Sequence, residues 1–189
     1  MQYYKNSFVF TNLTKEDYDF VKNFLANQNN FITSGSGGES QSVIRKSKIS
    51  WIKDEKLKHL MFKYIKYENI NLGWNWDLDF IEPLQYTIYD KDDYYNYHTD
   101  EGGWHYNKEK MRKISFTLTL NDNYEGGEFE LENLFFYDEK YQFKKEIKKY
   151  VLPENTLLIF HSDLIHKVCP IIKGRRESLV GWISGPPFV

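Results

Sequence analysis

Gln85-Tyr86-Thr87-Ile88-Tyr89, followed by the polar run Asp90 to Asp93 and then by Tyr97-His98-Thr99-Asp100, reads as a strand, a turn and a returning segment that ends on a His-x-Asp pair. Successive side chains of a strand point to opposite faces, so residues two apart project the same way. His98 and Asp100 are therefore expected to aim an imidazole and a carboxylate at one point. A second imidazole, His166, is expected from a distant strand. Two histidines and one carboxylate form the set that holds iron(II) on one triangular face and leaves the other positions open. Within Gly174-Arg175-Arg176-Glu177-Ser178, Arg176, ten residues after His166, and Ser178 repeat the two-residue spacing. Arg176 and Ser178 would supply a fixed cation and a hydroxyl able to grip a carboxylate, which points to an organic acid as cosubstrate.

The segments around this set are mostly strands. Ile114-Ser115-Phe116-Thr117-Leu118-Thr119-Leu120 alternates so regularly that Ser115, Thr117 and Thr119 must share one face. Asn121 to Tyr124 turns the chain, and Gly126-Gly127 permits a bend before the next strand. Pro153-Glu154-Asn155 opens the strand expected to deliver His166, and Ile171 to Arg175 leads into the last one. Upstream, Thr14-Lys15-Glu16-Asp17 ahead of Phe20, Val21, Phe24 and Leu25 reads as a capped amphipathic helix. A second helix is expected from Lys53 to Tyr67, with Leu57, Leu60, Met61, Tyr64 and Ile65 apolar, stopping before Asn69 to Gly73. The Gly/Ser-rich stretch from Thr33 to Ser40 is a loop by composition, either a plain connection or a lid. The organisation expected is one domain, with a helical support region at 1–73 and a barrel core at 74–189.

A chain of 189 residues suits one domain with a sizeable core. The net charge of -2 gives no overall basic field, so nucleic acid is not indicated as a partner. The single cysteine, Cys169, leaves no internal disulfide framework and reads as a small buried residue. The opening residues lack the pattern of a secretory signal, and no apolar run approaches a membrane span; a soluble, cytoplasmic protein is the expectation. Lys144-Lys145-Glu146-Ile147-Lys148-Lys149 reads as a solvated hairpin edge, where lysine discourages unwanted strand pairing.

In order, His-x-Asp, Gly126-Gly127 before Glu128-Phe129-Glu130-Leu131, Leu157-Leu158-Ile159-Phe160 before His166, and Gly174-x-Arg176-x-Ser178 resemble the iron(II)/2-oxoglutarate-dependent dioxygenases, and within them the prolyl 4-hydroxylase-like group. The similarity is continuous from about Gln85 to Ser184 and weaker upstream, where Arg45-Lys46-Ser47 and Trp51 resemble the segment before the barrel in that group. It implies a mainly β, α+β fold: a double-stranded β-helix (jelly roll or cupin-like barrel) with N-terminal helices packed on one side.

The same resemblance implies iron(II) held by His98, Asp100 and His166, and 2-oxoglutarate whose far carboxylate is held by Arg176 and Ser178. Dioxygen would complete the set, with succinate and carbon dioxide as co-products. Tyr89 matches a tyrosine that contacts the cosubstrate in the group, and Thr117 or Thr119 could add a hydrogen bond to it. The implied reaction is hydroxylation of a C–H, with peptidyl or free proline as the first substrate class. Alternatives are a small molecule, another protein side chain, or a non-catalytic metal- or ligand-binding barrel. Related halogenases replace the carboxylate ligand with a small residue, whereas this chain keeps Asp100. Nucleic-acid demethylation would call for a second arginine downstream of Arg176, which is absent. His161 rivals His166 for the third ligand position, but His166 has the ten-residue step to Arg176. His59 and His105 lie outside the pattern. Tyr94, Tyr95, Tyr97 and Trp104 could stack on a proline ring or simply pack the barrel mouth.

Overall fold

Short strands dominate, as the alternating segments require. The computed structural model describes residues 7–34, 44–101, 109–136 and 143–187. Its elements run β1 (Phe8–Asn12), α1 (Lys15–Leu25), β2 (Ile32–Ser34), β3 (Arg45–Ile52), α2 (Glu55–Asn71), β4 (Phe80–Ile81), β5 (Leu84–Tyr89), β6 (Tyr94–His98), β7 (Met111–Thr119), β8 (Glu125–Gly126), β9 (Phe129–Phe136), β10 (Phe143–Tyr150), β11 (Thr156–His161), β12 (His166–Val168), β13 (Ile171–Lys173) and β14 (Arg176–Gly185). Residues 35–43, which hold most of the Gly/Ser stretch, and Trp104 and His105 lie outside the described residues.

Strands pair in the order β1-β11-β7-β14-β5-β3-β6-β12-β9-β10, with β2 beside β3 and β4 beside β14. All of these pairings are antiparallel. The path curls because β3 serves two neighbours: Lys48–Ile52 pair with β5, whereas Arg45 and Lys46 pair with β6. Its two ends meet through aromatic rings, Phe8 and Phe10 of β1 lying 5.8 and 4.9 Å from Tyr150 of β10. The result is a double-stranded β-helix.

Strand parity divides the larger sheet into two faces. Ile114, Phe116 and Leu118 of β7, Leu157 and Ile159 of β11, and Leu179 and Ile183 of β14 join Val21, Leu25, Leu57, Met61 and Ile65 of the helices in one apolar cluster. Leu158 and Phe160 of β11 point the other way and join Phe129, Leu131 and Val168 in a second cluster inside the barrel. An apolar run buried on both faces is what Leu157-Leu158-Ile159-Phe160 encodes.

Several local expectations are corrected. The first 73 residues are not only helical, since β1, β2 and β3 lie among them. In α1 the buried face is Tyr18, Val21 and Leu25, while Phe20 is 39% exposed. Helix α2 starts later than expected, at a cap in which Asp54 accepts from the Leu57 N–H. It also runs past Asn69, because the Asn69 amide bonds both the N–H and the carbonyl of Trp76 and needs no turn of its own. The strand opened by Thr156 does not deliver His166: β11 ends at His161, and a Leu164–His161 backbone turn sends the chain into β12 on the other side of the barrel. Gly126 and Gly127 do bend the chain, both at positive φ, and a Cβ on Gly126 would stand 2.4 Å from the Pro170 carbonyl oxygen. As expected, β10 is an edge strand, with Lys148 and Lys149 exposed. Among the described residues, no helix is long and apolar enough to cross a membrane.

Strand parity places the packing of the helices, and so the stability, on the helix-covered face. Leu57→Ala is expected to lower the unfolding free energy by about 3 kcal/mol, and Phe20→Ala by less than about 0.5 kcal/mol. Urea denaturation of both variants checks this, and equal losses would refute the assignment of faces.

Candidate functional site

In the pairing of β12 with β6, His166 lies directly opposite His98. Opposed residues of an antiparallel pair project to the same face, and the two rings approach to 4.1 Å between centroids. Each ring is turned by the same local device. His98 Nδ1 lies 2.7 Å from the Asn96 carbonyl oxygen, and His166 Nδ1 lies 2.9 Å from that of Leu164. A carbonyl can only accept, so each Nδ1 carries the proton and each Nε2 offers a lone pair.

Both Nε2 atoms face Asp100, at 3.7 Å from Oδ1 for His98 and 3.5 Å from Oδ2 for His166. These separations exceed a good hydrogen bond, and the three ligand atoms lie within 4.8 Å of one another, a span that suits one shared ion. Asp100 reaches this point differently from what strand alternation suggests. Strand β6 ends at His98, and Asp100 occupies a bend whose N–H donates to the Ser162 carbonyl at 2.9 Å. Burial pushes the His98 imidazole down to about 4, reinforced by the nearby His166. Burial alone would raise Asp100, but His166 and His98 outweigh it and hold the carboxyl below its usual range. A neutral imidazole beside an ionised carboxylate is the donor state a cation requires.

The inner face of the larger sheet is polar and enclosed rather than solvated. Thr87, Ser115, Thr117, Thr119, Arg176 and Ser178 are all buried. Together with the triad, Tyr89, Thr117, Arg176 and Ser178 line one pocket of about 420 Å³ including its open mouth. Arg176 is 1% exposed, and its Nη1 donates to Ser178 Oγ at 3.2 Å. Its Nε and Nη2 are buried with no partner among the described residues. A buried guanidinium with two unmet donor nitrogens is costly unless an anion meets it, so the pocket has a place for a carboxylate. Tyr89 lies opposite Arg176 across the β5–β14 ladder, its ring 5.6 Å from the guanidinium. Arg175 points outward to Asp90 at 2.8 Å, as alternation requires.

The rival ligand, His161, lies apart from the triad, packed against Trp74 and Trp76 at 4.5 and 4.2 Å. His59 is exposed on α2. Cys169 is buried and donates to Glu130, and burial pushes its thiol up to about 11. Tyr95 lines the pocket and stacks on His98 at 3.5 Å, whereas Tyr97 turns to Glu130 and does not line it.

Sequence reasoning gave no role to Arg45, which also lines the pocket. It bonds Ser47 at 2.8 Å and Gln85 at 2.7 Å, and lies over the Tyr95 ring at 4.7 Å. The signal was present: Arg45-x-Ser47 repeats the Arg176-x-Ser178 spacing on a second strand.

Comparison with known proteins agrees with this geometry. Residues 84–184 match the 2OG-Fe(II) oxygenase superfamily. A PKHD-type hydroxylase of Hyphomonas neptunium is 30% identical over 132 residues, covering 68% of this chain and 54% of that protein. The chain spans between about a third and a half of the length of the curated relatives it matches. Among solved structures, a Pseudomonas putida prolyl-4-hydroxylase superposes with a TM-score of 0.62 at 18% identity, over 95% of this chain and 92% of that one. The carbocyclase SnoK from nogalamycin biosynthesis reaches 0.68 at 10% identity, over 94% and 79%. At these identities the two structures share the fold.

Outside the triad, burial pushes His161 from 6.5 down to about 4. Its folded value lies below the unfolded one, so the unfolded chain takes up the extra proton between those pH values and stability falls as pH drops through that window. Metal-free wild type should therefore lose more denaturation midpoint between pH 7 and pH 5 than His161→Phe. Parallel losses in the two proteins would show that His161 does not titrate in this way.

Proposed function

Because this chain belongs to the 2OG-Fe(II) oxygenase superfamily, we propose that it is an iron(II)- and 2-oxoglutarate-dependent hydroxylase, with peptidyl or free proline as its first substrate class. The observation that carries this reading is the pairing of a converged two-histidine, one-carboxylate cluster with a buried, half-unmet guanidinium in the same pocket. When bound, iron(II) and 2-oxoglutarate supply the activation of dioxygen against an unactivated C–H, with succinate and carbon dioxide as co-products.

The chain's own residues do the holding. His98 and His166 would offer Nε2, each ring kept in orientation by its carbonyl, and Asp100 one carboxylate oxygen. The cluster leaves positions open because no fourth His, Cys, Asp or Glu joins it among the described residues. Arg176 would receive the far carboxylate of the cosubstrate through Nε and Nη2, a fork that matches carboxylate geometry, while Ser178 fixes Nη1. Thr117 and Tyr89 flank the same space. Phe129, Phe160 and Val168 form an apolar wall that excludes bulk water from the triad. We read residues 1–189 as one catalytic unit, working in a reducing compartment consistent with a single free, buried cysteine.

Hydroxylation is favoured by the PKHD-type hydroxylase relatives and proline by the prolyl-4-hydroxylase neighbour in fold; the likeness to a carbocyclase supports the runner-up, oxidation of a small molecule. The test is succinate formation by anaerobically iron-loaded protein exposed to oxygen, with and without proline-containing peptides and free amino acids. Peptide- or proline-stimulated turnover with a hydroxyl gained on proline is the expected result, and stimulation only by other compounds would move the substrate class.

Asp100→Ala is expected to abolish succinate formation while far-UV circular dichroism stays unchanged; retained turnover would mean that the metal lies elsewhere. Arg176→Met should weaken 2-oxoglutarate binding roughly ten- to hundredfold, the worth of a charged hydrogen-bonded pair, with iron affinity intact. An unchanged cosubstrate affinity would remove Arg176 from this role.

A further inference from the structure

Behind Asp100 lies a charge pair that the reading above leaves unused. Arg112 of β7 donates to both oxygens of Glu82, from Nε at 2.7 Å and from Nη2 at 2.5 Å. Glu82, between β4 and β5, is 1% exposed, and its N–H is bonded to the Trp182 carbonyl at 3.0 Å. The remaining arm of the fork, Arg112 Nη1, reaches the backbone oxygen of Asp100 at 3.4 Å. Its guanidinium carbon lies 4.2 Å from the centre of the Trp182 ring. Trp182 lines the pocket, and its indole nitrogen is buried there.

Asp100 needs such support. The two histidines stand on paired strands, but Asp100 lies beyond the end of β6, where no ladder fixes it. Its backbone is held at two points: the N–H by Ser162, whose own N–H bonds the Lys113 carbonyl, and the carbonyl by Arg112. Both supports trace to the same stretch of β7. A buried ion pair is weak evidence of stability, since apolar replacements of similar volume are often as stable. A positional role accounts for a pair at this place better than a stabilising one.

We propose that the Arg112–Glu82 pair is a positioning device for the metal site, locking the Asp100 backbone and the Trp182 ring so that the carboxylate meets the two Nε2 atoms. This rests on the iron-site reading above. Outer supports of this kind typically change metal affinity by about ten- to hundredfold.

The test is cobalt(II) binding to metal-free full-length protein, followed by calorimetry and by the visible absorption of the bound ion. The Glu82→Leu/Arg112→Met double variant removes both charges and leaves no unpaired buried ion. It should keep its thermal midpoint within a few degrees, bind cobalt(II) about ten- to hundredfold more weakly and show an altered absorption band. Arg112→Lys, which keeps the charge and loses the fork, should fall between the two. A double variant that binds cobalt(II) within about twofold of wild type, with the same spectrum, overturns the proposal while leaving the iron-site reading intact. Wild type that binds neither cobalt(II) nor iron(II) overturns both. Should the double variant not fold, near-isosteric Glu82→Gln carries the same test, and unchanged affinity there is equally decisive against it.

Discussion

The antiparallel pairing of β6 with β12, in the register that sets His98 opposite His166, is the constraint on which the site depends. Opposed residues share a face and stand close enough to touch. A slip of one residue would send one imidazole to the outside of the barrel. Strand β12 meets β6 on one side and β9 on the other, which places the histidine between Leu131 and His98. Each ring is then locked by the carbonyl two residues before it. For the two histidines, tautomer and separation thus come from the backbone, through strand register and the two carbonyls.

A second division of labour follows from strand parity. On β5, β7 and β14, alternate residues face either the helices or the barrel interior. The helix side is apolar and carries the packing of α1 and α2. The interior side is polar yet buried, which is expensive unless each group finds a partner. Ser115 meets Ser162, Thr87 meets Gln85, and Arg176 meets Ser178. Of the groups left over on that face, at Thr119, Arg176 and Trp182, the last two line the pocket where a polar ligand would complete the face. One sheet can therefore be rigid on one side and chemically active on the other.

The charge of the pocket points the same way. Two guanidinium groups, Arg45 and Arg176, and one carboxylate, Asp100, are the charged side chains among its described lining residues. Among the described residues the hydrogen bonds of Arg45 go to hydroxyl and amide oxygens, which orient its positive charge without neutralising it. With a divalent cation added at the triad, the cavity becomes more positive still, an environment suited to an anionic organic acid.

Much of this was legible in the chain itself. His98, Asp100, His166 and Arg176 were identifiable as a set, because their types suit iron and a carboxylate and their order and spacing resemble the iron(II)/2-oxoglutarate-dependent dioxygenases. Alternation separated Arg176 from Arg175 correctly, and the apolar run 157–160 declared itself buried. What stayed hidden depends on contacts distant in sequence. Asn69 continues α2 because Trp76 satisfies it, and Asp100 joins the triad from a bend because Ser162 and Arg112 hold its backbone. Arg45 reaches the pocket because β3 leaves β5 to pair with β6. The sequence by itself determined which side chains could bind a metal and an acid, since that follows from local chemistry and strand period. Only the tertiary structure decided how they meet, since register, bends and buried partners are settled by pairings across the barrel.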